Sequence, residues 1–400
     1  MNRIDVERAR RETPGCANVL HFNNAGAALL PEPVLWAVSA HQQREAAIGG
    51  YEAADESREA IEHTYGAVAG LIGCSSEEVA IVENATRAWD MAFYALRFAP
   101  GERILTGVSE YASNYIALLQ VARRTGAVIE VIPNDADGQI AIAALERAID
   151  ERTRLIALTH VPTNGGLVNP AAAVGAVARK AGVLYLLDAC QSVGQLPIDV
   201  EHIGCDLLSA TGRKYLRAPR GTGFLYVRAG LCATLEPPFL DLRAARWTSA
   251  DTYTVRPDAR RFESWESNAA LKIGLGVAAD YAASWGIEAI AERIGALAAR
   301  LRNGLGAIRR VEVMDLGRRR CGIVSFQVAG IAAETIKRRL RAQGINASVS
   351  DSHSTLLDSE ARGLGNLVRA SVHYYNTEAE VERFCEALSD LIDADYGPAD

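Results

Sequence analysis

Short apolar runs punctuate this chain. Residues 79–82, 103–106, 128–133, 154–160, 183–187, 206–210 and 221–227 are dominated by Val, Ile, Leu and Ala and have the length of strands. Runs so little interrupted by polar residues predict strands buried on both faces, as in a parallel sheet. Residues 34–45, 58–72, 85–96, 140–149 and 269–285 carry apolar positions at helical spacing instead. Pro33 suits the first turn of a helix, and Gly49-Gly50 ahead of Tyr51 predicts that helix's stop. Pro237-Pro238 places 229–250 in loops. Alternating strands and helices predict an α/β fold, a mostly parallel sheet covered by helices. Past residue 286 the order becomes helix 288–308, strand 322–328, helix 333–341, strands 345–350 and 367–373, and helix 377–392. That order predicts a smaller α+β unit. The expected organisation is a polar arm at 1–20, a large domain at 21–285 and a small one at 286–400.

Composition excludes some functions. Of 400 residues, 49% are hydrophobic and 23% charged, an ordinary balance for a globular enzyme. The net charge of −7 leaves no basic excess to replace phosphate counterions, which argues against a nucleic-acid partner. No run of about eighteen apolar residues predicts a membrane span, and residues 1–15 lack the apolar core of a secretory signal. Seven scattered cysteines form no C-x-x-C pair. Reduced thiols, no metal site and a cytoplasmic location are therefore expected.

The candidate chemistry lies in residues 183–228. One strand ends at Asp188, with Gln191 just beyond it. The next ends in Thr211-Gly212-Arg213-Lys214, and a third opens with Gly221-Thr222-Gly223. A carboxylate and a lysine at neighbouring strand ends suit pyridoxal phosphate (PLP). The lysine forms a Schiff base, and the carboxylate keeps the ring nitrogen protonated so that the ring acts as an electron sink. A lone lysine is usually a surface lysine; Asp188, Thr211 and the glycine strand single out Lys214. Ligands of α/β sheets bind at the strands' C-terminal ends, where Thr86, Tyr111 and Thr163 also fall. Asn84-Ala85-Thr86 opens a helix directly after a strand and offers free N–H groups to an anion. The same residues serve equally well as a plain N-cap. His160 reads as a buried, hydrogen-bonded histidine rather than a catalyst. Gly274-Leu275-Gly276 lies inside a helical pattern and follows no strand, so it is not a dinucleotide fingerprint.

These motifs resemble the class V aminotransferase family of fold-type I PLP-dependent enzymes. Its pattern is D-x-x-Q, then S/T-x-x-K, then G-x-G-x-L-Y-V, and the likeness runs over nearly the whole chain. The family includes cysteine desulfurases, isopenicillin N epimerase-like proteins and the C–S lyases of ergothioneine synthesis. The resemblance implies that Lys214 and Asp188 are catalytic, with Tyr111 stacked on the ring. Ala85, Thr86, Thr211 and Arg213 would meet the phosphate, Thr163 the phenolic oxygen, and Gln191 would complete the cofactor set. Asn24, Ala25 and Gly26 would approach an amino-acid substrate. Arg369, in Val368-Arg369-Ala370-Ser371, would clamp its α-carboxylate with a planar fork; from the residues alone, a solvated strand arginine is the alternative. A homodimer is also implied, with Gly49-Gly50-Tyr51 and Trp265-Glu266 near the neighbouring subunit.

Departures from the pattern bear on the reaction. Tyr111 stands where desulfurases have histidine, and a phenol of reference pKa about 10 carries protons poorly near neutrality. The stretch corresponding to their sulfur-accepting loop, 342–366, contains no cysteine. Arg213 replaces a histidine, and Glu266 replaces a threonine that reaches the neighbouring phosphate. The favoured reading is a β-eliminating C–S lyase acting on a cysteine conjugate or its sulfoxide, similar to hercynylcysteine sulfoxide lyases. Alternatives are an aminotransferase or an amino-acid epimerase, then a cysteine desulfurase or a catalytically silent PLP-fold protein.

Overall fold

The computed structural model describes residues 4–396. Residues 1–3 of the expected arm and 397–400 of the expected C-terminal unit lie outside the described residues. At the centre is a seven-stranded sheet built from β1 (Val79–Val82), β2 (Arg103–Gly107), β3 (Val128–Ile132), β4 (Thr153–Thr159), β5 (Leu184–Asp188), β6 (Leu207–Thr211) and β7 (Gly223–Val227). Their order across the sheet is β1-β7-β6-β5-β4-β2-β3. β7 runs antiparallel to both neighbours, and the other pairings are parallel. The exception has a simple cause. Parallel neighbours need a crossover of about a dozen residues or more, and the 212–222 connection is too short to supply one.

Successive residues of each strand face opposite sides of the sheet. On β5, Tyr185 and Leu187 enter one apolar core, while Leu186 enters another with Trp89, Phe93 and Phe262. Burial on both faces is why these strands read as continuous apolar runs. Gly286, at φ +81°, ends helix Ala269–Trp285 and opens helix Ile287–Gly306. A four-stranded antiparallel sheet follows: β8 (Val311–Val313), β9 (Ile323–Val328), β10 (Ser348–Ser350) and β11 (Leu367–Ser371), ordered β8-β9-β11-β10. The first core continues into this sheet through Ile323, Phe326 and Val368. The start of the chain also crosses over to it: Leu20–His21 pairs in parallel with Ile345–Asn346, and Asn23 bridges Ser371.

Several local expectations needed correction. Gly49 takes φ +106° and ends helix Glu32–Ile48, but Gly50 opens a new helix, Gly50–Glu56. One glycine suffices to break the turn. The 229–250 stretch is not all loop: it contains helix Ala229–Cys232, and Ala245–Ser249 pairs with Thr252–Val255 in a hairpin. Trp247 and Tyr253 pair across the hairpin and are more than half exposed, so no inward apolar face marked it. Helix Leu356–Arg362 and strand β8 were likewise not anticipated. Among the described residues, no helix is long and apolar enough to cross a membrane, and no His/Cys/Asp/Glu group could hold a metal ion.

Candidate active site

The C-terminal rim of the large sheet encloses one pocket. Ala85, Thr86, Tyr111, Thr163, Asp188, Gln191, Thr211, Arg213 and Lys214 all line it, together with Asn84, Thr159, Val161 and Cys190. Asp188 ends β5, and its carboxylate is held from two sides. The Cys190 N–H donates to Oδ1 at 2.8 Å and Asn114 Nδ2 donates to Oδ2 at 2.9 Å. Asn114 also donates to Glu110 Oε1 at 2.9 Å. Glu110 is itself buried and accepts from Thr106, Thr159 and the Tyr111 N–H. Burial raises the Glu110 carboxyl above the usual range, with the Asp188 charge a lesser contributor. Sequence reasoning passed over this support. Its visible signal was the Glu110/Asn114 spacing at the start of helix Ala112–Thr125.

Lys214 follows β6 and lines the pocket, half-buried. Burial lowers its pKa from the ordinary lysine value, and the charges of Arg213 and Arg369 add to that, while Cys190 and Asp188 oppose it. Burial, with the Asp188 charge second, pushes the Cys190 thiol well above its usual range.

At the opposite end, helix Ala85–Phe93 begins directly after β1 and Asn84 caps it, its Oδ1 accepting the Arg87 N–H at 2.8 Å. Gly223 packs against this turn. A Cβ there would lie 2.7 Å from the Asn84 carbonyl carbon and 2.9 Å from the Ala85 nitrogen. The glycine therefore lets β7 close on the helix start, where the first N–H groups lack helical partners.

The expected substrate residues separate into those near the pocket and one bound up in structure. Gln191 Nε2 donates to the Ala25 carbonyl at 3.1 Å, and Arg213 Nη1 donates to the Gly26 carbonyl. Arg213 thus engages the 24–28 segment, a contact not foreseen from its expected place beside a phosphate. Arg369, on β11, donates through Nη1 to the Thr163 carbonyl and hydroxyl, at 3.1 and 2.5 Å. Its Nε has no partner, and burial pushes its pKa down to about 10. Arg369 is therefore not the solvated arginine left open above. Asn24 differs: Nδ2 donates to the Ser371 carbonyl at 2.6 Å, and Oδ1 accepts from the Tyr375 hydroxyl. Its side chain is committed to holding the segment. His160 is buried as expected but not satisfied, since Nδ1 has no partner; burial pushes it down to about 4.

A second cavity, of about 510 Å³, brings Gly50 and Tyr51 together with Trp265 and Glu266. Tyr51 is 77% and Trp265 55% exposed, so both rings stand free at this cavity.

A family model described as aminotransferase class-V matches residues 20–384. The chain belongs to the class-V aminotransferase family. Among its relatives, a probable cysteine desulfurase of Methanothermobacter thermautotrophicus is 29% identical, covering 96% of this chain and 98% of its own. One from Xylella fastidiosa is 31% identical, covering 96% and 95%. Among solved structures, apo cysteine desulfurase from Thermococcus onnurineus superposes with a TM-score of 0.91 at 27% identity, covering 98% of this chain and 99% of that one. The cystine C–S lyase C-DES, in complex with its product cysteine persulfide, gives 0.85 at 26%, covering 94% and 99%. In fold this class-V chain is a fold-type I PLP enzyme.

The pocket fits that cofactor on its own chemistry. It offers N–H donors at a helix start for a phosphate, a doubly held carboxylate for a ring nitrogen, and a half-buried lysine for an aldehyde. Gln191 Oε1, also buried, has no protein partner and remains available.

Proposed function

We propose that this class-V enzyme is a C–S lyase. Its substrate would be a cysteine conjugate or the corresponding sulfoxide, cleaved by β-elimination as in hercynylcysteine sulfoxide lyases. The observation that carries this reading is the state of the thiols near the pocket. Cys190 is the one cysteine among the lining residues, and burial beside Asp188 keeps it protonated and a poor sulfur acceptor. Ser350 and Asp351 lie beside Thr163 and Asn164, and the stretch they belong to, 342–366, contains no cysteine. With no thiolate to accept sulfur, the sulfur leaves with the rest of the side chain.

When bound, PLP supplies an electron sink for the pair left at the substrate's Cα. The chain's residues supply the rest. Arg369 holds the α-carboxylate, Lys214 Nζ takes the Cα proton, and Asp188 balances the charge on the ring nitrogen. Tyr111 offers a flat phenol to the ring. Overall, substrate and water give pyruvate, ammonium and a thiol, or a sulfenic acid when the substrate is a sulfoxide.

Cysteine desulfurase is the second reading, supported by the names of relatives that align over nearly their full length. Product analysis separates the possibilities. Pyruvate and ammonia from a cysteine-conjugate sulfoxide is the expected outcome. Alanine with an enzyme-bound persulfide from free cysteine would establish the desulfurase. A new amino acid from an added keto acid, without pyruvate, would establish an aminotransferase, and inversion at Cα an epimerase. No spectral response to any amino acid would reject an enzymatic role.

A homodimer belongs to the same proposal, supported by the exposed Tyr51 and Trp265 around one cavity. Light scattering should give twice the mass of one chain; a fully active monomer would reject it.

A further inference from the structure

We propose that Arg217 is a positioning residue that sets segment 24–29 against the Lys214 turn and thereby shapes the amino-acid side of the pocket. This rests on the reading that segment 24–26 and Arg369 meet an amino-acid substrate.

Two features of Arg217 are costly for the fold. Its φ of +61° lies in the left-handed region, which residues other than glycine seldom adopt. It is also only 1% exposed, yet its hydrogen-bond partners are all uncharged: the Leu29 carbonyl at 2.9 Å, the Tyr374 hydroxyl at 2.6 Å and the Thr13 hydroxyl at 2.5 Å. Aromatic faces supply the remaining stabilisation, with the guanidinium carbon 4.6 Å from the Tyr375 ring centre and 5.2 Å from that of Tyr374.

These contacts converge on one segment. The Arg217 N–H closes a turn onto the Lys214 carbonyl at 3.0 Å. Its side chain grips Leu29 directly. Tyr375, under the guanidinium, donates its hydroxyl to Asn24 Oδ1 and accepts the Leu29 N–H at 3.3 Å. The Ala25 N–H then donates to Ser371 Oγ at 2.9 Å, two residues beyond Arg369. Segment 24–29 is therefore pinned between the lysine turn and the strand that carries Arg369. A lysine could supply the charge but neither the planar fork nor the stacking face.

The test uses PLP-loaded protein and L-alanine, which has no leaving group, as the probe. Arg217→Gly removes the side chain while accepting the positive φ, and Arg217→Lys keeps the charge. Both should still carry the cofactor on Lys214 and melt cooperatively. Their affinity for L-alanine, read from the cofactor's absorption, should fall by at least about tenfold; with a cysteine-conjugate sulfoxide as substrate, KM should rise more than kcat falls. Guanidinium ion should partly restore binding in the glycine variant. If Arg217→Gly binds L-alanine as tightly as the parent while Arg369→Ala does not, the inference is overturned. If Arg369→Ala also binds normally, the amino-acid reading falls and this inference with it. Should the glycine variant fail to fold, parental L-alanine affinity in Arg217→Lys overturns the inference.

Discussion

Lys214→Ala should lower turnover by at least about 10²–10⁴-fold, the usual contribution of one positioned general base, and leave the protein folded. The residue's environment explains the size of the effect. Burial, reinforced by Arg213 and Arg369, lowers the Lys214 pKa, so more of the amine is neutral near pH 7 than in an exposed lysine. Only the neutral amine can take a proton or bond to an aldehyde. Borohydride reduction followed by peptide mapping should mark Lys214 in the parent and no lysine in the variant. A label elsewhere would sink the assignment. The sign for Arg213→Ala follows from the same charges. Removing a positive neighbour raises the Lys214 pKa, reduces its neutral fraction at a given pH, and moves the acidic limb of the pH–rate profile upward.

Asp188→Asn should slow α-proton exchange by about 10²–10³-fold, comparable to removing one preorganised electrostatic contact elsewhere. The amide keeps the shape but not the charge that balances a protonated ring nitrogen. Stability should fall as well. Both oxygens of Asp188 accept from donors, the Cys190 N–H and Asn114 Nδ2. Asparagine would turn its own NH2 toward one of them. Asn114 cannot rotate its oxygen into place without giving up its bond to Glu110. A buried donor left facing a donor costs about 1–3 kcal/mol. Proton exchange in D2O and a thermal melt measure the two effects separately. Exchange at the parental rate would show that Asp188 does not have the proposed role.

Much of the site could be read along the chain. Thr86, Tyr111, Thr163, Asp188 and Thr211 stand at or just beyond predicted strand ends, and the structure gathers all five around one pocket. Gly223 was visible as a motif, but its reason was not: the Cβ it lacks would collide with the helix start after β1. Asn114 was written four residues after Glu110, yet its partner Asp188 is 74 residues away, and nothing local announces the contact. Arg213 lines the pocket as expected and also engages Gly26, 187 residues distant, a contact that no local pattern announced.

By itself, the sequence determined the strands of the large sheet and the longer helices, that those strands are buried on both faces, and which residues reach the sheet's rim. Those properties follow from periodicity and from neighbours a few positions apart. Tertiary structure alone decided how the rim residues are held. Segment 24–29 is held in place by residues roughly 190 and 350 positions away: Arg217 on Leu29, and Ser371 and Tyr375 on Asn24 and Ala25. The reason is physical. Hydrogen bonds and ring contacts act over a few ångströms in space, and which distant residues come that close depends on how the two sheets and the helices between them pack.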